Sequence, residues 1–393
     1  MSLQKLLAPV SSAAFFEGYF ETKPLLVARG RPDYYSGLLG LDDVDRIVTT
    51  EGVCYPDIRL VNAEREIESG AYTCLGDRID PARLYQLHAG GATIILDHLH
   101  RSHSPLTDFC AALELEFSAP FQTNVYLTPP RAKGFKAHFD NHDVFVLQLH
   151  GTKHWRMYGT PIMLPLGGQS NDPSQGNPGV PTMECSLELG DSLYIPRGVV
   201  HDAVSGDEPS LHATVGVLAY TWTDLMLDAL ATMALRDFTF RRSLPPGFAR
   251  PTFDRKDTHA VFKELLTRFS ASADLNSALD TFVAEFINTR RPRLLGQLAQ
   301  LRALQSLTMD SQVGCRLHLA YTLHEDESVI RIRCWGNEIS MPREASTAVH
   351  YALTVPRFRV GDLPNEWDND SKLVFVRRLI REGILMVATP LQE

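Results

Sequence analysis

The sequence has little cysteine and no paired cysteine motif. Its six cysteines (Cys54, Cys74, Cys110, Cys185, Cys315 and Cys334) in 393 residues fall in no C-x-x-C pair. That spacing excludes a zinc knuckle and a dense disulfide framework, and it fits a reducing cytoplasm. A basic excess is also missing. Lys and Arg number 38 against 47 Asp and Glu, for a formal net charge of −9, so nothing chain-wide draws the protein to a phosphate backbone. No long apolar run is free of charge: the most apolar window, residues 213–235, encloses Asp224 and Asp228, each costing about 3 kcal/mol at a bilayer centre. The stretch MSLQKLLAPVSSAAFFEGYF has one Lys and a short apolar patch closed by Glu17, a poor match to a signal peptide. A cytoplasmic protein with no membrane partner is expected. No period of 20–50 residues recurs, which argues against solenoids and propellers.

What is present is an ordinary globular composition, 44% hydrophobic and 22% charged, in a chain long enough for two or three domains. Between residues 90 and 220, GATIILDHL, FQTNVYLTP, DVFVLQLHG, KHWRMYG, DSLYIPRG and HATVGVLAY read as successive strands of a sandwich or barrel. Residues Pro165 to Thr182 carry four Gly and four Pro and are predicted to be a loop, either a lid or a disordered excursion. After residue 222 the period turns helical. Val261, Phe262, Leu265, Leu266 and Phe269 form one stripe, Leu275, Leu279, Phe282, Val283, Phe286 and Ile287 a second, and Leu294, Leu298 and Leu301 a third. Such stripes need a partner, and a second copy of the chain, a homodimer, supplies one. From residue 306 the pattern is mixed and resembles a small winged helix. Residues 301–393 hold 11 basic against 12 acidic side chains, which argues against DNA. The expected domains are therefore residues 1–221 (mainly β), 222–305 (helical dimerisation module) and 306–393 (α+β, winged-helix-like).

The chemistry concentrates in His138-Phe139-Asp140 and His201. In a strand, residues i and i+2 share a face, so a strand through His138 and Asp140 presents an imidazole and a carboxylate side by side. His201 ends the run Gly190-x5-Pro196-x-Gly198-x2-His201, in which Pro and Gly shape a turn that aims the His into a barrel. Two His and one carboxylate form the facial set of non-haem Fe(II) oxygenases. The chain has 14 His, and His142, His150 and His154 are read as bystanders, because a scattered His is more often solvated or hydrogen-bonded.

NVYLTPPRAKGFKAHFDNHDVFVLQLHGTKHWRMYG together with GDSLYIPRGVVH resembles the Jumonji C, cupin-type 2-oxoglutarate oxygenases, and in particular the ribosomal oxygenases. The resemblance implies a double-stranded β-helix (jelly-roll) catalytic domain followed by a helical dimerisation module and a winged helix. It also implies Fe(II), with 2-oxoglutarate and dioxygen as co-substrates, in the hydroxylation of an unactivated C–H bond. By position, Lys153 matches the residue that pairs with the distal carboxylate of 2-oxoglutarate. Tyr126 and Asn124 match positions near the co-substrate, and His212 a position beside the active site. Gly216 departs from the Ser that relatives commonly carry. The implied substrate is a protein side chain, most naturally of a ribosomal protein. Histidine is favoured over arginine, since the arginyl type tends to carry Arg where Lys153 stands. An oxygenase of small molecules or peptide natural products, a ligand-sensing cupin regulator, and demethylation instead of hydroxylation all stay open on the sequence.

Overall fold

The computed structural model describes residues 2–169 and 178–388. Part of the predicted loop Pro165 to Thr182, residues 170–177, lies outside the described residues. The chain forms two compact units, Met1–Ala219 and Tyr220–Glu393.

The first unit is mainly β, as the strand pattern predicts, with the cupin-like fold that the resemblance implies. Its strands are β1 (Leu25–Val27), β2 (Ile58–Val61), β3 (Thr93–Leu96), β4 (Phe121–Thr128), β5 (Asp143–His150), β6 (Lys153–Met157), β7 (Met183–Leu187), β8 (Ser192–Ile195), β9 (His201–Ser205) and β10 (Ser210–Val217). Seven of them form an antiparallel sheet in the order β1-β8-β5-β10-β4-β3-β2, and the rest a smaller sheet, β7-β6-β9. The order follows from composition. β5 carries the apolar run Val144–Leu147 and is buried from Asp143 to Leu149, inside the large sheet, as a strand covered on both faces must be. β4 instead alternates, with Phe121, Thr123 and Val125 buried and Gln122, Asn124 and Tyr126 half-buried, so its second face looks onto a cavity.

Behind the large sheet, Val125 and Ala213 share a core with Leu106, Phe109 and Leu113. Those three come from the helix Ser104–Phe117, which starts with Pro in its first turn, where a missing N–H does no harm. The β-rich reading of residues 90–220 did not foresee this helix, because its apolar positions lie all round it instead of on one face. Between the two sheets Val144, Val146, Met157, Leu187 and Ile195 make a second core.

In the second unit, helices Trp222–Arg236, Lys256–Ser272 and Leu275–Thr289 precede two three-stranded sheets and the helices Ser346–Thr354 and Asn369–Arg381. The α+β part has its own core, including Val313, Ile330, Ile332, Val376 and Leu379. The predicted apolar stripes fare differently. Phe286 and Ile287 are buried with Ala320, and Phe282 meets Tyr220 edge-on at 5.2 Å. By contrast Lys256–Ser272 has no buried residue. Among the described residues, no helix is long and apolar enough to cross a membrane.

Candidate active site

The two histidines meet through their backbones. His138 N donates to His201 O at 3.1 Å and His201 N to His138 O at 2.8 Å, an isolated antiparallel bridge that brings the imidazole centroids to 4.7 Å. The regular strand anticipated for His138 and Asp140 is absent: β5 begins only at Asp143. The cause is the turn before His201, whose Gly198 N donates to Asp140 O at 2.9 Å and so engages the backbone that a ladder would use. Gly198 sits at φ +88°, and a β-carbon there would stand 2.2 Å from Ile162 O, so only glycine fits. The chain is still extended enough for the i, i+2 argument, since Phe139 is buried while His138 and Asp140 line the cavity.

The donor atoms of His138, Asp140 and His201 all lie within 4.8 Å of one another. His138 Nε2 is 3.9 Å from Asp140 Oδ1, and His201 Nε2 3.7 Å from Asp140 Oδ2. Each Nδ1–H is spent on a carbonyl, of Lys136 at 2.8 Å and of Val199 at 3.0 Å. That fixes the tautomer and turns both Nε2 lone pairs toward the shared centre, the usual orientation of metal-binding imidazoles. Burial, reinforced by His138, lowers the pKa of His201 and keeps its ring neutral, as a ligand must be. The donor set suits Fe(II).

Neighbouring carboxylates are paired with cations of their own. Asp202, next to His201, binds Lys133 at 2.6 Å and Arg156 at 2.9 Å. Those partners outweigh the cost of its burial and hold its carboxyl below the usual range. The fully buried Asp143 accepts from Arg197 Nη1 at 2.6 Å and from the Tyr194 hydroxyl at 2.6 Å. This tie fastens the start of β5 to the turn that delivers His201.

The cavity, about 300 Å³, runs from the triad to a second polar group. Lys153 opens β6 but is 5% exposed, so it is no solvated hairpin lysine. Its Nζ donates to Thr128 Oγ1 at 3.1 Å and lies 3.5 Å from His212 Nδ1. Among the described residues it makes no ion pair. Burial alone brings its pKa down to about 7, because a cation without a counter-charge is unstable in a dry site. His212, stacked on Tyr126 at 4.8 Å, is held well below its ordinary pKa by burial and by Lys153, so it is neutral. Burial, and then Asp140, push the Tyr126 hydroxyl up to about 12, and it stays a proton donor. Asn124 Oδ1 accepts from His98 N at 2.9 Å, which leaves its amide N–H groups for the cavity.

Thus the structure gathers His138, Asp140, His201, Lys153, Tyr126, Asn124 and His212 around one cavity. His150 and His154 do not line it. His142 does, outside the group of three donors formed by His138, Asp140 and His201. Its ring occupies the space left by Gly216, where a β-carbon would come within 2.5 Å of Cδ2 and 2.7 Å of Nε2. Thr128 and Trp155 also line the site unannounced, although each stands two residues from a named one on the same strand face, a signal the period-2 rule already contains.

Comparison with known proteins agrees with this geometry. Residues 99–225 match the JmjC domain family. The chain is 28% identical over 443 aligned positions to ribosomal oxygenase 1 of Danio rerio, covering 99% of this chain and 79% of that one. It is also 28% identical to a bifunctional lysine-specific demethylase and histidyl-hydroxylase of Aedes aegypti, over 84% of this chain and 54% of that protein. Among solved structures, a ribosomal oxygenase from Escherichia coli in complex with cobalt and 2-oxoglutarate superposes with a TM-score of 0.52. It is 17% identical and covers 97% and 99% of the two chains, a likeness of fold. The JmjC reading and the resemblance to ribosomal oxygenases are borne out.

Proposed function

We infer that this chain, a 2-oxoglutarate-dependent oxygenase with a JmjC domain, hydroxylates a side chain of a ribosomal protein, with histidine favoured over arginine. The observation that carries the co-substrate is Lys153, a buried lysine with no carboxylate partner among the described residues, in the cavity that His138, Asp140 and His201 also line. A dianionic keto acid supplies the missing charge.

His138, Asp140 and His201 would hold Fe(II), which with 2-oxoglutarate and dioxygen supplies oxidation of an unactivated C–H bond, the keto acid leaving as succinate and carbon dioxide. The chain's own part is positional. Lys153, protonated by the arrival of the dianion, binds the distal carboxylate with Thr128 steadying its Nζ, and Tyr126 offers its hydroxyl beside it. Neutral His212 fills the space behind them without competing for the anion. The Asn124 amide faces the same cavity, at the co-substrate position that the resemblance gives it.

A protein substrate is supported by the names of the relatives and by the −9 charge of the chain, which attracts basic ribosomal segments. Histidine is supported by Lys153 standing where arginyl hydroxylases tend to carry Arg, and by the histidyl-hydroxylase relative. In the second unit we place a helical module, residues 222–305, that makes a homodimer, and a winged-helix-like part, residues 306–393, whose charge argues against DNA. Its exposed Trp222, Leu227, Phe262 and Leu266 support the dimer. A cytoplasmic setting follows from the unpaired cysteines. The test is incubation of iron-loaded protein with 2-oxoglutarate and separated ribosomal proteins. A mass increase of one oxygen on one protein, with matching succinate, is expected. Stoichiometric hydroxylation of a small metabolite with no protein modified overturns the assignment.

A further inference from the structure

Several buried polar atoms in the chain lack a hydrogen-bond partner, but most belong to side chains that are otherwise satisfied. Gln148 leaves Oε1 unpaired, yet its Nε2 donates to His150 O at 2.7 Å, and Arg29 leaves Nε unpaired while Nη1 donates to Ser192 at 3.0 Å. Trp155 differs. The indole N–H is its single side-chain polar group, the residue is 5% exposed, and the N–H has no partner among the described residues. Buried donors are nearly always satisfied, so an orphan of this kind marks an incomplete site.

Its surroundings say what completes it. Trp155 follows Lys153 by two residues on β6 and shares its inward face. The ring centroid is 5.9 Å from that of His201, 5.6 Å from that of His212, to which it stands perpendicular, and 5.9 Å from Lys153 Nζ. It therefore lies between the metal-binding end of the cavity and the cation, the interval that a bound keto acid spans.

We propose that the Trp155 indole N–H donates a hydrogen bond to an oxygen of bound 2-oxoglutarate, as an anchor additional to Lys153. This rests on the oxygenase reading above. The acceptor is negatively charged and rich in lone pairs, while the apolar indole body keeps water from the same oxygen.

The test uses the full chain, labelled with nitrogen-15 and loaded with Zn(II), which binds without turning over. Its four tryptophans give four indole N–H resonances, and Trp155→Phe identifies the one concerned. On addition of 2-oxoglutarate that resonance should move downfield. Trp155→Phe should raise the dissociation constant for 2-oxoglutarate about tenfold to thirtyfold, as expected for one charge-assisted bond, with zinc affinity unchanged. A resonance that stays in place while 2-oxoglutarate binds, or a variant with unaltered affinity, overturns the proposal. If the variant also loses zinc through its contact with His201, the resonance of the unmodified chain decides. Failure of the unmodified chain to bind 2-oxoglutarate at all overturns the oxygenase reading instead.

Discussion

The two units depart from the apolar-inside, polar-outside pattern in opposite senses. In the first, Lys153 and the Trp155 indole are buried with less polar company than they need. In the second, Phe262 (62% exposed), Leu266 (52%) and Trp222 (75%) lie open to solvent. Each departure costs stability in isolation. Together they teach that an unsatisfied group identifies its missing partner by chemistry: a small anion for the cavity, an apolar surface for the helices.

The largest effect expected concerns the triad. His201→Ala should lower Fe(II) affinity more than about a hundredfold, since losses beyond the ligand shell already cost 10–100-fold. His142→Ala should leave affinity nearly unchanged. Iron content after gel filtration distinguishes the two, and equal loss in both would undo the distinction between ligand and wall.

Next comes the buried cation. Lys153→Met should weaken 2-oxoglutarate binding about thirtyfold, or ~2 kcal/mol, yet make the empty protein more stable. The pH sign follows from its pKa, about 7 in the fold against about 10.4 in an unfolded chain. Between those values the unfolded state binds the extra proton, so this lysine's contribution makes the empty protein less stable as pH falls from about 10 to about 7, and is flat below. Urea unfolding at pH 7 and pH 9 should show that slope in the unmodified chain and lose it in Lys153→Met. Above pH 7, 2-oxoglutarate should bind with proton uptake, measurable by calorimetry in buffers of different ionisation enthalpy.

The exposed helices give the reciprocal test. Phe262→Glu with Leu266→Glu should weaken self-association tenfold or more in sedimentation while leaving the melting temperature close to that of the unmodified chain. Phe286→Ala, which empties a buried site, should instead cost about 3–5 kcal/mol of stability. A monomeric unmodified chain at micromolar concentration would remove the dimer and leave the open face without its proposed cover.

The smallest effect belongs to the cavity wall. Gly216→Ala puts a β-carbon against the His142 ring, an overpacking of about 1 kcal/mol partly offset by a stiffer unfolded chain. His142→Ala added to it should recover most of the loss in a double-mutant cycle, because the ring is what the new carbon meets.

The triad was legible because ligand chemistry restricts residue types and the turn that delivers His201 restricts its glycines. The strand around His138 was misjudged, since a single turn contact, Gly198 N to Asp140 O, withdraws the backbone from the ladder, and such a contact joins residues 58 positions apart. The apolar stripes were visible by period, but not which of their members would be used: Phe286 is buried with Ala320, and Phe262 stays 62% exposed.

By itself the sequence determined the alternation of β4, the apolar run of β5, the grouping of His138, Asp140 and His201 as one candidate set and the mainly β class, all of which depend on local period and composition. The tertiary structure alone decided that, among the described residues, Lys153 is buried without a counter-charge and the Trp155 N–H is unpaired, and that His142 rests on Gly216. These are properties of the space between strands distant in sequence, where burial and missing partners arise only when β4, β5, β6 and β10 close around one cavity.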